Sequence, residues 1–229
     1  MIKYANDITL LHFVRSAADD LLQRELDNVL SWSEKAGLQL NLSKCSITNF
    51  VTSKALVCPP VFCNGEAVSH KANVKNLGVT FSDDLRWNTH FCNQIKKACK
   101  RIFIFRNLKR AGCNENILMN VYIAVVRSIL LYSYPCFCNA PMYLHDKLIK
   151  LEKRIFRIAS QHNIACDNIL SAAEKHCASL YTRVQSTAGH PLLELFEKRF
   201  PTHRNPSILR RPRANTKRFS QSFIKYCPT

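Results

Sequence analysis

The 229-residue sequence lacks a long uninterrupted apolar run. Its longest apolar stretch, Val121–Cys138, contains Arg127 near the middle and Pro135 near the end. A membrane-spanning helix needs about 20 consecutive, predominantly apolar residues. The stretch therefore predicts a helix in a protein core, and we expect no membrane partner.

A cleavable secretory signal is also missing, because Asn6, Asp7 and His12 interrupt any apolar segment at the start of the chain. The 11 cysteines are odd in number, and none has the paired C-x2-C spacing of a zinc site, the nearest being Cys58-x4-Cys63. We therefore expect reduced thiols and an intracellular protein, nuclear or cytoplasmic and not secreted.

Acidic residues are scarce in one part of the chain. Residues 1–90 contain 9 basic and 9 acidic residues, whereas residues 91–229 contain 24 basic and 7 acidic ones. The whole excess of +17 charges thus lies after residue 90. A neutral segment joined to a strongly basic one indicates a polyanionic partner, most often nucleic acid.

The first 90 residues have short alternating patterns typical of hairpins. Asn6–Asp7 predicts a tight turn between two strands, and Asn64–Gly65 predicts a second. An amphipathic helix is expected from residue 16 to a stop at Gly37, followed by strands at residues 46–51 and 74–81. This part predicts antiparallel strands covered by one helix.

From residue 89 the apolar period becomes helical. Three helices are expected, at residues 90–110, from 114 or 115 to before Pro135, and at 144–160, packed as a small antiparallel bundle. The predicted core positions of the second are Ile117, Val121, Val125 and Ile129. Those of the other two are Ile95, Ala98, Cys99, Ile102 and Phe105, and Leu144, Leu148, Leu151, Ile155 and Ile158.

Two of these helices carry a cationic stripe away from the predicted core. The stripes consist of Lys96, Lys97, Lys100 and Arg101, and of Lys147, Lys150, Arg154 and Arg157. Solvated helix faces would look the same, but the basic tail that follows favours binding to a phosphate backbone. Phe103, Phe105 and Tyr122 fall in apolar stripes, so we expect them in the core and not stacked on bases.

A series of motifs then gives a family resemblance. In order and spacing, the chain resembles the C-terminal half of the reverse transcriptases of non-LTR, LINE-like retrotransposons. The motifs are Tyr4–Asp7, Trp32–Asn41, Ser43–Cys45, Val74–Phe81 and Leu85–His90. The resemblance implies an α+β fold: a partial polymerase palm at 1–87, a three-helix thumb at 88–160, and a basic, partly disordered extension at 161–229.

The resemblance also implies site residues. The family's metal turn is Tyr-Ala-Asp-Asp, so Asn6 replaces its first Asp and Asp7 keeps the second position. Lys44 matches a lysine that could donate a proton to the leaving group, although a lysine before a strand is also ordinary surface. Leu77, Gly78 and Val79 match the primer-grip hairpin, although they also fit a plain strand.

These residues define the expected function. An amide is a poor Mg²⁺ ligand, and the family's other metal-binding Asp lies on a strand that would precede Tyr4. We therefore expect part of an RNA-directed DNA polymerase, a nucleotidyltransferase that uses Mg²⁺, which is inactive alone, binds no metal stably and retains primer–template binding. The alternatives are a non-catalytic nucleic-acid-binding module and an interaction protein whose basic face binds acidic protein or lipid.

Overall fold

The computed structural model describes residues 1–14, 21–50, 59–159, 167–195, 197–198 and 209–210. The chain divides into two compact units, residues 1–86 and 87–229. Both contain helices and small antiparallel sheets, which agrees with the predicted α+β class. The palm and thumb assignments, and the limits of the three predicted domains, stay predictions.

The first unit begins with a hairpin of β1 (Ile2–Tyr4) and β2 (Asp7–Thr9). Tyr4 pairs with Asp7, so the two-residue turn is Ala5–Asn6. The prediction of a turn at Asn6–Asp7 is therefore wrong by one residue. Ala5 has a φ of 48°, a conformation that few residues with a Cβ adopt.

Helix α1 (Leu22–Lys35) ends as predicted at Gly37, which has a φ of 66°. The Leu38 N–H donates to the Ser33 carbonyl and the Gly37 N–H to the Glu34 carbonyl, which is the Schellman arrangement. The predicted beginning of this helix, at residues 16–20, lies outside the described residues.

A second hairpin consists of β3 (Phe62–Cys63) and β4 (Glu66–Ala67). Its turn residues Asn64 and Gly65 have φ values of 51° and 82°, which confirms the predicted two-residue turn. The strand predicted at residues 46–51 is wrong in its described part. Only an isolated parallel bridge between Ile47 and His70 forms there, because the chain turns through a 3-10 helix at Leu42–Lys44 just before it.

The strand predicted at residues 74–81 is a hairpin. Its strands are β5 (Asn73–Asn76) and β6 (Val79–Ser82). The turn residues Leu77 and Gly78 have φ values of 45° and 86°, so the backbone reverses where a continuous strand was expected. The apolar pattern alone hides this turn because leucine rarely adopts a positive φ, whereas the family resemblance implied a hairpin here.

The second unit is mainly helical. It contains α2 (Asn88–Arg110), α3 (Glu115–Val121), a π-helical segment (Tyr122–Arg127), α4 (Ser128–Leu131), α5 (Tyr134–Phe137), α6 (Met142–Ala159) and α7 (Ile169–Ser186). A 3-10 helix at Pro191–Leu195 and the short strands β7 (Glu197–Lys198) and β8 (Leu209–Arg210) follow. Most of the predicted basic tail lies outside the described residues.

One hydrophobic core joins these helices. It includes Ala98, Ile102 and Phe105 of α2 and Leu144, Leu148, Leu151 and Ile155 of α6, as predicted. Ile169, Ala173 and Cys177 of α7 lie in the same core. The predicted bundle of three helices is thus incomplete, because a fourth long helical segment packs against it. No helix in the described part of the chain is long and apolar enough to cross a membrane.

The inner face predicted for the second helix is wrong. Its buried residues are Leu118, Tyr122, Val126 and Leu130, one position after each predicted residue, and Ile117 is exposed. Both rows are apolar and recur every four residues, so periodicity alone does not choose between them. Asn114 begins the helix, as expected, by accepting a hydrogen bond from the Ile117 N–H at 2.9 Å.

Candidate nucleic-acid interface

The metal turn offers one carboxylate. Asn6 lies in the turn, and Asp7 begins β2 with an exposed side chain. Two-metal phosphoryl transfer needs several carboxylates that converge on both ions. Within the described ranges, no group of three or more His, Cys, Asp or Glu side chains could hold a metal. The described residues therefore do not fit a Mg²⁺ pair.

A hydrogen bond brings the two family hairpins together. The Asn76 side-chain amide donates to the Thr9 hydroxyl at 3.2 Å, joining the end of β5 to the end of β2. Val79 is buried and Leu77 is partly exposed at the turn. The residues predicted as metal turn and primer grip thus lie on neighbouring hairpins, a contact that the sequence pattern did not reveal.

Lys44 lies at the end of the 3-10 helix with an exposed side chain. The Cys45 N–H that follows donates to the Leu42 carbonyl and closes this turn at 3.0 Å. The position fits both the surface interpretation and the proton-donor interpretation, so the catalytic role of Lys44 stays a prediction.

All eight residues of the two cationic stripes have exposed side chains. Helix α2 contains no acidic residue at all. Within the described part of the chain, none of the eight side chains forms an ion pair. Their charges are therefore available to a polyanion. Arg106 on α2 and Lys153 on α6 are also exposed, although neither belongs to the stripes predicted from the sequence.

The two stripes belong to parallel helices. At one end, the Tyr143 hydroxyl donates to the Asn88 side-chain oxygen, which joins the beginnings of α6 and α2. At the other end, Lys109 Nζ donates to the Ile158 carbonyl. Since α2 and α6 have the same direction, their cationic residues run along the bundle in the same order.

A buried ion pair holds α6 to the helices on both sides. Arg127, at the end of the π-helical segment, lies 3.0 Å from the Glu152 carboxylate of α6. The Tyr122 hydroxyl and the Ile169 N–H, at the beginning of α7, also donate to Glu152. Arg127 Nη2 also donates to the Asp167 carbonyl, just before α7. Arg127, the charge that interrupts the apolar stretch, therefore connects the π-helical segment, α6 and the segment that leads into α7.

The pKa values of Tyr122 and Arg127 in this network are both raised, further above neutral pH. Burial and the hydrogen bond to Glu152 raise the pKa of Tyr122. Burial alone would lower the pKa of Arg127, but hydrogen bonds to Tyr122 and Glu152 outweigh it and raise that pKa. Tyr122 is therefore neutral and Arg127 charged at any physiological pH, which suits a structural lock.

The three aromatic residues predicted to lie in the core do not all do so. Phe105 and Tyr122 are fully buried, but the Phe103 side chain is 66% exposed. Helix α2 turns residue 103 away from the core that residues 102 and 105 enter, because each residue advances by about 100°. The prediction for Phe103 is wrong.

Comparison with known proteins supports the resemblance. Over 163 residues, 67% of this chain, the sequence is 27% identical to the RNA-directed DNA polymerase from mobile element jockey of Drosophila melanogaster. It is 28% identical over 161 residues to the protein of the same name from Drosophila funebris. The chain resembles a stretch of a retrotransposon reverse transcriptase.

The chain spans 17% of the length of each of these reverse transcriptases. No family model matches the chain. No solved structure matches it either. The similarity to these reverse transcriptases therefore rests on sequence alone. The hairpins and cationic helices described above show how the corresponding residues are arranged in the fold.

Proposed function

We propose that the chain is part of a non-LTR retrotransposon reverse transcriptase, that its second unit binds primer–template duplex, and that it does not extend primers alone. The similarity to the jockey polymerases is the observation that carries the proposal. The single carboxylate of the metal turn supports inactivity, since two Mg²⁺ ions require more ligands. Mg²⁺ is the cofactor of the parent enzyme, and Asp7 alone would bind it weakly.

Duplex binding is supported by the charge of α2 and α6. Eight exposed cations that form no ion pair with any described residue lie on two parallel helices, and phosphate contacts of this kind do not depend on base sequence. The β5–β6 hairpin, with Leu77 and Gly78 at its turn and Val79 directly after it, is the proposed primer grip. The eight cysteines in the described ranges are free thiols. Free thiols suit the nucleus or cytoplasm, where we place the protein.

The salt dependence of binding tests this proposal. If half of the eight cations neutralise phosphates, log K for a primer–template duplex should fall against log[salt] with a slope of roughly −3.6, at about 0.9 for each of the four contacts. Fluorescence anisotropy with a labelled duplex measures this slope. Replacing Lys147, Lys150, Arg154 and Arg157 by Ala should weaken binding nearly equally for all sequences and flatten the slope.

A matched control variant shows whether weaker binding comes from the loss of the α6 site or from the loss of net charge. Four exposed cations elsewhere, Arg24, Lys35, Lys71 and Arg183, are replaced by Ala, which removes the same charge. Equal weakening by both quadruple variants would overturn the site on α6. The interaction-protein alternative predicts that heparin competes as well as an unlabelled duplex, whereas our proposal requires a preference for the duplex.

A further inference from the structure

We infer that Phe103 stacks on an unpaired base of the nucleic acid that the cationic stripes bind, so the preferred ligand is a duplex with a single-stranded overhang. The inference rests on the proposed function and narrows its ligand. It assigns a binding role to a residue that the sequence pattern placed in the core.

Helix geometry places Phe103 within the cationic surface of α2. Lys96, Lys100 and Phe103 are separated by four and three residues, so they form one row along the helix, here called the outer row. The core residues Ile102 and Phe105 lie on the opposite side. The 66% exposed Phe103 ring therefore follows two lysines along the outer row, with Lys100 one turn before it.

The positive charge of α2 indicates the kind of partner that Phe103 contacts. An exposed phenyl ring alone could contact any apolar surface, but α2 has seven basic residues and no acidic one. A strongly cationic helix attracts a polyanion, and in nucleic acid the phosphates carry bases whose flat faces stack on aromatic rings. Lysines on phosphates and a phenyl ring on a base are the combination that single-strand-binding proteins use.

An unpaired base is required because duplex stacking hides the base faces. In a duplex each base is covered above and below by its neighbours, apart from the outer faces of the two terminal pairs, which point along the duplex axis. A single-stranded base can turn a free face towards a protein at its side. The cationic stripes by themselves fit duplex phosphates equally well with or without an overhang. Phe103 is thus the part of the surface that would distinguish the two ligands.

Two other exposed apolar residues of α2 and α6 are less suited to stacking. Ile104 is 37% exposed but has no flat face. Tyr143 is 51% exposed, but Lys147 Nζ lies 5.8 Å from its ring centroid, and its hydroxyl is bonded to Asn88. Among these residues Phe103 has both a planar ring and high exposure.

The test compares two ligands on the full chain by fluorescence anisotropy. One is a blunt duplex, and the other is the same duplex with a short single-stranded overhang. The parent protein should prefer the overhang. Phe103→Ala should weaken overhang binding by about 5- to 100-fold, the range that loss of one base–aromatic stack gives, and leave blunt binding unchanged. Ile104→Ala, the adjacent control, should change neither.

Two further variants identify stacking. Phe103→Leu keeps most of the apolar volume and should behave like Phe103→Ala. Phe103→Trp should keep the overhang preference, and its added fluorescence should be quenched by the overhang ligand and not by the blunt one. Retained preference in Phe103→Leu would show that apolar contact suffices and would overturn the inference.

Failure of the inference about Phe103 can be told apart from failure of the proposed function. Equal binding of both ligands by the parent, or equal weakening of both by Phe103→Ala, would overturn the role of Phe103 while salt-dependent duplex binding stands. Absence of salt-dependent binding to either ligand would overturn both.

Discussion

At the scale of single residues, His90 shows how the core of the second unit sets a charge state. Its side chain is buried, with the ring centroid 4.6 Å from that of Phe137. Burial, with a smaller effect of Lys97, lowers the pKa of His90 from 6.5 to about 4. The imidazole is therefore neutral in the folded protein at pH 7.

This pKa predicts a loss of stability in acid. Between pH 6.5 and 4 the unfolded chain protonates His90 and the folded chain does not, so the free energy of unfolding rises with pH across this window. Lowering the pH from 7 to 4 should cost about 3 kcal/mol through His90, at about 1.36 kcal/mol per pKa unit. Urea titrations of the parent and of His90→Leu at several pH values measure it.

The variant is the control, because both proteins share every other titrating group. His90→Leu should lose less stability than the parent between pH 6.5 and 4. Parallel pH profiles would show that the buried imidazole is not the source.

At the scale of elements, the long helices were predictable and their details were not. The helical period of α2 and α6 identified their inner faces, because their charged residues mark the outer sides. The second helix has no such asymmetry, and its one central charge, Arg127, is itself buried against Glu152. Sequence alone does not show that a distant carboxylate neutralises it.

The turns of the hairpins were also predictable only in part. Asn64–Gly65 was predictable because both residue types tolerate positive φ, whereas Leu77 and Ala5 belong to residue types that seldom adopt this conformation. The exposure of the eight stripe cations followed from the helical pattern. The exposure of Phe103 did not, because an aromatic residue beside core positions looks like one of them.

Glu152 gives the prediction at this scale. Glu152→Gln keeps the side-chain size but leaves Arg127 buried without a counter-charge, which should cost about 3–5 kcal/mol. Because the Ile169 N–H donates to this carboxylate, amide exchange should accelerate first in α7. Exchange measured by mass spectrometry locates the effect, and melting measures the cost.

Two variants accompany it. Lys153→Ala removes an exposed neighbour on α6 and should cost little. Combining Glu152→Gln with Arg127→Met removes the stranded charge and should cost less than Glu152→Gln alone. A double variant at least as unstable as that single one would contradict the ion pair's role.

At the scale of the whole chain, the two units differ in their cores. The second has a continuous core that spans α2 to α7. In the described part of the first unit, the buried apolar residues are Val29, Val61, Cys63 and Val79. Tyr4 is 65% exposed and Phe13 is 92% exposed. The described part of the unit that contains Asp7 therefore has few core residues to hold a catalytic geometry.

This imbalance predicts the outcome of an activity assay. Purified chain given a primed RNA template, dNTPs and Mg²⁺ should extend no primer, and Asn6→Asp should not restore extension, because one added carboxylate does not complete a two-metal site. Gel analysis of a labelled primer, with an active reverse transcriptase as positive control, measures this. Extension by either protein above the no-enzyme control would refute the proposed inactivity.

If the α6 stripe binds a duplex as we propose, the length of the stripe sets the number of base pairs that it contacts. Lys147 and Arg157 are ten residues apart, which is roughly 15 Å along a helix. A duplex advances about 3.4 Å per base pair, so this stripe matches about four base pairs, less than half a helical turn. After a shift of one base pair, such a short row would meet an equivalent set of phosphates. It would hold a duplex while letting it move forward in single-nucleotide steps.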